Sequence, residues 1–422
     1  MILDRRLKMS MLKKSSFLLC LIILMIGSVW FLNLKNDNSS LVGVYIDGEY
    51  ASNIPSKDDG YVVEKVVCDN EAVGEWNYDD WGLLVKNMTK KSKCNVYFKK
   101  GIRLADTITL VDTTGKCPTV NSDGSVNVTS AESENSLLCM APDNYGTSYY
   151  FRGNVQNNYV YFANLYWRII RINGDGSIRM IYDGTTAHEN GAANEDRIIG
   201  MSAFNEKYDD NAYVGYMYGT AGSSTYEKAH TNINDSTIKK YIDNWYENNI
   251  KNTDSERYLA DNLFCNDRTI SNIAKDGYVN NGYGKNPTIY RWYYGVWDNN
   301  YNNLKLVCLN KNDSFSLQQN SFTNGALTYA IGLLSGDEAV MSGAFWSENT
   351  KYFLYSGNDY WTLSAYYFNG YNADVRYVRK NGGLSGARDV SAIDYGVKPV
   401  INLKPNSLKL GDGTISNAYR IS

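Results

Sequence analysis

The longest apolar run in the chain is FLLCLIILMIGSVWFLNL at residues 17–34, close to the roughly 20 residues a helix needs to cross a bilayer. Arg5, Arg6, Lys8, Lys13 and Lys14 precede it against one acid, Asp4, while beyond it Lys35 is soon offset by Asp37. Basic flanks stay in the cytoplasm. The pattern predicts a stub over 1–14, a transmembrane helix over 15–34, a linker over 35–41, and the rest outside. No small-x-small cleavage pattern follows the run, so retention is expected over a cleaved signal peptide.

From 42 to 100 short stretches alternate apolar and polar (VGVYIDG, YVVEKVV, GLLVKN, CNVYFKK) between turn-rich segments. This period of two predicts a small immunoglobulin-like β-sandwich module, with Trp76 or Trp81 packing near a disulfide. Residues 101–140 hold the strand DTITLVD and the turn NSDGS, and read as a disulfide-stapled connector. The head is expected over 141–405, followed by a tail at 406–422.

In the head, YWRIIRI (166–172) and SIRMIYDG (177–184) flank the turn NGDGS as a central hairpin buried on both faces. Ile238, Tyr241, Ile242 and Trp245 follow helical spacing after Asn234, Asp235 or Ser236 as cap. Ser335-Gly336-Asp337-Glu338 fits a reciprocal capping box, with the apolar AIGLL before it as a buried entry strand. Strands return at YFLYSG, DYWTLSAYYF, ADVRYVRK and GVKPVINL. Helices in the middle and strands at the end predict an α+β domain with an antiparallel sheet.

Composition narrows the function. With 42 Lys and Arg against 45 Asp and Glu, the net charge of −3 is too balanced for a nucleic-acid binder. Only His188 and His230 occur, so a three-histidine zinc site cannot form; no metal and no cofactor is expected. Apart from Cys20 in the apolar run there are six cysteines, at 68, 94, 117, 139, 265 and 308, on the predicted oxidising side. They fall as three neighbouring couples. The expected bridges are Cys68 with Cys94, Cys117 with Cys139, and Cys265 with Cys308, in preference to a cysteine nucleophile or metal ligand.

Five stretches in order carry a resemblance: Trp167 to Ile170, Ser236 to Ile242, Leu333 to Glu338, Trp361 to Ser364, and Gly396 to Val400. Together they resemble an extracytoplasmic domain family of Gram-positive gut bacteria and phages, which is similar to C-type-lectin-like folds, including the formylglycine-generating enzymes. The resemblance implies a lectin-like head over about 145–404. The chain departs from those folds in having no cysteine after Cys308, where the oxidases bind copper, and none of the calcium-binding triplets of sugar-binding lectins; Trp297-Asp298-Asn299 is a scrambled echo of one. Ala365 and Lys398 stand where many relatives carry Pro and Arg.

Of the acidic residues, Glu206, Asp209 and Asp210 are the best candidates for hydrolytic chemistry or a hard cation, against the simpler reading of a solvated turn. Both histidines are expected on the surface, with no nucleophile motif beside them. The 36 tyrosines exceed what one core can bury. Tyrosine among Asn, Ser and Gly is the composition of adaptable recognition surfaces. SAYYFNGYNADVRY at 364–377 fits it and precedes the closing strand, where lectin-like relatives place ligand-facing residues.

The expectation is therefore a single-pass, membrane-anchored, non-catalytic surface protein whose head recognises an extracellular polysaccharide or protein. Tyr366, Tyr367, Asn369, Tyr371, Asn372 and Asp374 would line the contact, with Trp292, Tyr293 and Trp297 on a neighbouring loop. The alternatives are a cell-wall or polysaccharide hydrolase using acidic side chains, and a structural envelope protein.

Overall fold

A computed structural model describes residues 42–420, except 57, 58, 60, 78–80, 88, 90, 91, 101, 104–110, 113, 274, 297–300, 385, 406 and 410. The predicted stub, transmembrane helix and linker lie outside the described residues, as does most of the strand DTITLVD. Among the described residues no helix is long and apolar enough to cross a membrane. The described residues divide into two compact units, one ending at residue 100 and one beginning after it, in a sheet-rich α+β protein.

In the smaller unit, Val42–Ile46 lies between Glu49–Ala51 and, in parallel, Cys94–Lys100, which pairs on its other side with Tyr61–Cys68. Val73–Asn77 and Gly82–Lys86 form a separate hairpin. Alternation places Val96 and Phe98 inward beside Val44 and Trp76, with Trp81 packed on this small core. The Cys68–Cys94 bridge joins directly opposite residues of one sheet, whereas an immunoglobulin bridge ties two sheets together.

The larger unit is built on an eight-stranded sheet. Its path runs Ser136–Asp143, Gly146–Gly153, Leu165–Ile172, Ile178–Gly184, Val400–Leu403, Ile331–Gly332. Tyr159–Phe162 adds to Leu165–Ile172, and Tyr419–Arg420 runs parallel to Tyr159–Phe162. The hairpin centred on NGDGS is the middle of this sheet, and Ile178–Gly184 is buried at every residue. Residues 119–143 differ from the expected separate connector: Thr119–Val120 and Val126–Val128 pair onward to Tyr301–Leu304, and Ser136–Asp143 joins the main sheet. Apolar side chains at Val126, Val128, Leu137 and Leu138 draw this segment into the head's core. The predicted tail also joins the head, through Leu408–Lys409 with Ile102–Arg103 and through Tyr419–Arg420.

The helix Thr237–Asn249 starts where Ser236 accepts from the backbone N–H of Lys239, and it buries Ile238, Ile242 and Tyr246. Tyr241 and Trp245 are only half-buried, while Lys239 is enclosed between Asp235 at 3.3 Å and Asp243 at 2.6 Å. The helix Gly336–Ser342 has the predicted capping box, Ser335 and Glu338 bonding reciprocally. YFLYSG differs from prediction. Its apolar residues are buried, but Tyr355 N–H turns back to the Tyr352 carbonyl, so the segment is a packed turn rather than a strand. The three disulfides are Cys68–Cys94, Cys117–Cys139 and Cys265–Cys308.

Candidate functional site: a tyrosine-bearing face

A four-stranded sheet, Thr288–Ile289, Tyr360–Phe368, Ala373–Val378 and Ala387–Asp389, carries the segment singled out from its composition. Tyr360–Phe368 and Ala373–Val378 form a hairpin whose tip is Asn369-Gly370-Tyr371-Asn372. The Asn369 side chain accepts from the N–H groups of Tyr371 (2.9 Å) and Asn372 (2.8 Å), and Gly370 supplies a φ of +97°. A side-chain-capped turn with a glycine at its bend is what projects the next residue outward. Tyr371 is 79% exposed.

Two further loops meet this tip. The N–H of Ala373 donates to the carbonyl of Tyr208 at 2.7 Å, and Tyr208 is 44% exposed. Gly370 lies against Pro287. The loop 283–286 is held by the buried Asn211 amide, which donates to the carbonyls of Gly284 (2.9 Å) and Asn286 (2.8 Å) and accepts from the Tyr290 hydroxyl (3.0 Å). Asp209 and Lys285 pair across the loops at 3.2 Å, both exposed.

The other expected contact residues form the base of this face. Tyr366 and Tyr293 are buried and stacked at 5.1 Å between ring centroids, and Tyr367 meets Tyr293 edge-on at 5.9 Å. Lys275 bonds the Tyr293 hydroxyl and sits 4.6 Å above the Tyr278 ring. Trp292 is buried and donates from its indole to Asp337 at 3.0 Å. Expected to be ligand-facing, Tyr366, Tyr293 and Trp292 are packing residues, because the short strand Thr288–Ile289 pairs with Tyr367 and Phe368 and folds the following turn over them. Tyr367, Asn369 and Asn372 are half-buried. Trp297 lies outside the described residues.

Asp374 is also buried. It stands opposite Tyr367 on one side and Asp389 on the other. Burial, together with the Asp389 charge, pushes its carboxyl up to about 7, against the Tyr367 hydrogen bond and Arg388. The face thus has a base that binds a proton near neutrality.

The acidic trio does not converge. Glu206 and Asp209 are exposed, while Asp210 is buried, caps the turn Asn211–Val214 and accepts from Gly222 N–H at 2.7 Å. Among the described residues no cluster of three His, Cys, Asp or Glu could hold a metal ion. The aspartates of NSDGS and NGDGS accept from the serine two residues on, as hairpin turns require.

Both histidines are buried, contrary to the surface positions expected. His188 is 3.0 Å from Asp196, whose carboxyl is held at about 2: burial opposes this, but hydrogen bonds from His188, Thr185 and Thr186 outweigh it. His230 Nε2 donates to the Gly282 carbonyl at 2.7 Å, and burial, aided by Arg268, drives its pKa well below the usual histidine value. The His230 imidazole is therefore held neutral within the core.

The feature that sequence reasoning missed is a set of buried arginines paired across the fold. Arg171 donates to Asp143 (2.8 Å) and Glu338 (3.1 Å), and Arg179 lies 2.5 Å from the same Glu338. Arg268 pairs with Asp313 at 2.6 Å, and Arg291 joins Asp267 and Asp337. Arg168, Arg197 and Lys398 surround a single carboxylate, Asp183. Isolated arginines inside WRIIRI and SIRMIY were the available signal, since a cation in a fully apolar run must be paired once buried.

Comparison with family models, with curated proteins and with solved structures finds no match for this chain.

Proposed function

We propose that this is a membrane-anchored surface protein whose lectin-like head recognises an extracellular polysaccharide or protein by binding rather than chemistry. Residues 17–34 are the anchor, the smaller unit is the spacer, and the tyrosine-bearing face is the contact surface. Three disulfides support a location on the oxidising side of a membrane. The observation that carries the binding role is Tyr371, a large ring 79% exposed at a turn built to present it, with Tyr208 exposed on the adjoining loop. Tyrosine offers broad contact area at small entropy cost.

The test is a pull-down of cell-surface glycans and proteins with the full chain and with a Tyr208→Ala/Tyr371→Ala variant. Capture should be lost while the melting temperature stays nearly unchanged, because exposed side chains contribute within about 0.5 kcal/mol. Capture by the variant equal to that of the parent would reject the face.

A further inference from the structure

A groove that shares no residue with the tyrosine-bearing face lies beside the Cys117–Cys139 bridge. It has a volume of about 240 Å³ and is lined by polar groups, among them Lys116, Thr119, Asn127, Thr129 and Glu132. Arg152 also lines it, though only 3% of that residue is exposed. Arg152 Nη1 donates to the carbonyls of Val340 (2.8 Å) and Met341 (3.0 Å), in the last turns of the helix Gly336–Ser342, and Nη2 donates to the Ser130 carbonyl (2.8 Å).

A guanidinium has five N–H donors. Three are used, so the Nε–H and one Nη2–H have no partner among the described residues, and no carboxylate there forms an ion pair with Arg152. Most other buried arginines have an acidic partner; Arg376, like Arg152, donates to carbonyls, those of Gly386 and Trp292, but it does not line this groove. Burial works to lower the Arg152 pKa, with Tyr150 and Glu132 acting against it. The Asn127 side-chain oxygen is likewise buried without a hydrogen bond.

We propose that the groove binds the carboxylate of an acidic sugar, held in fork geometry by the two remaining donors of Arg152, with a sugar hydroxyl donating to Asn127 Oδ1. Donors adjacent on one guanidinium edge match the two oxygens of a carboxylate. A buried cation with no carboxylate at ion-pair distance, and only the more remote Glu132 charge acting on it, still gains when an anion joins it. The volume falls below the roughly 300 Å³ at which drug-sized sites begin, which suits a single ring. Glu132 sets a limit on charge: burial would raise it, but hydrogen bonds from Asn135 and Glu134 hold it below the usual carboxylate range, so it stays anionic. The groove therefore favours a monoanion over phosphate.

The experiment is calorimetric titration of the full chain with glucuronate, glucose and inorganic phosphate. Glucuronate should bind in the millimolar range, about tenfold or more tighter than glucose or phosphate. Thr129→Trp, at the exposed lip of the groove, should weaken glucuronate binding by about tenfold without lowering the melting temperature, and Arg152→Lys, which keeps the charge but not the fork, should weaken it as well. Equal affinity for glucose and glucuronate, no binding of glucuronate at roughly 50 mM, or an indifferent Thr129→Trp variant would overturn the proposal.

Discussion

Replacing Asp374 by asparagine should stabilise the protein most above neutral pH and leave it nearly unchanged only below the unfolded carboxyl pKa of 3.8. The carboxyl rises from 3.8 to about 7 on folding, so the folded state holds its proton where the unfolded chain has released it. Stability from such a group is complete below the unfolded pKa, falls as pH climbs toward the folded one, and is flat beyond it. At about 1.4 kcal/mol per pH unit, the loss between pH 5 and pH 7 amounts to about 3 kcal/mol. Asparagine has the same shape and no charge at any pH. The stability of Asp374→Asn relative to the parent should therefore grow by about 3 kcal/mol from pH 5 to pH 8, or roughly 6 °C or more in Tm. Lys398, pushed down to about 7 by burial and by Arg197 and Arg168 against the pull of Asp183, has the opposite slope: its contribution rises from pH 7 toward 10.5. Because Lys398 is present in both proteins, the difference between them isolates Asp374. Urea unfolding at each pH measures it. A difference that stays constant with pH would show that Asp374 is ionised in the fold, and the account of its burial between Tyr367 and Asp389 would fail.

Two other perturbations test the core. Glu338→Ala removes the carboxylate that Arg171 and Arg179 share, and should cost about 3–5 kcal/mol in urea unfolding, since two buried cations lose their common partner; a cost below about 1 kcal/mol would mean that water replaces it. Cys68→Ser with Cys94→Ser reopens a loop of 26 residues and should destabilise the smaller unit by about 3 kcal/mol. Limited proteolysis should then cleave within 42–100, and resistance equal to the parent would count against the bridge as a main support of so small a core.

Local patterns proved the most legible part of the fold. The NGDGS hairpin, the capping box at Ser335 and the helix after Ser236 depend on residues a few positions apart, and each formed at its predicted place. The disulfides followed from spacing along the chain. What could not be read was pairing over distance: Glu338 meets Arg171 across 167 positions, and nothing near either residue names the other. The same holds for the tyrosines. Composition shows that some must reach the surface, but it treated Tyr366 and Tyr371 alike, and the burial of Tyr366, Tyr293 and Trp292 depends on a two-residue strand too short to leave a period. His230 was misjudged for a related reason, since its enclosure comes from Gly282 and Tyr226 rather than from its polar neighbours in sequence.

The main sheet has a consequence for how the protein is made. Ile178–Gly184, its most enclosed strand, is covered on one edge by Val400–Leu403, and Tyr159–Phe162 waits for Tyr419–Arg420. More than 200 residues separate each of these pairs of strands, so local closure cannot finish the larger unit while the chain is being made. Until residues 400–420 emerge, apolar strand edges stay open, and stray pairing with other nascent chains is most dangerous. Holding chaperones and prompt oxidation of Cys117 with Cys139, both available early, would shorten that interval.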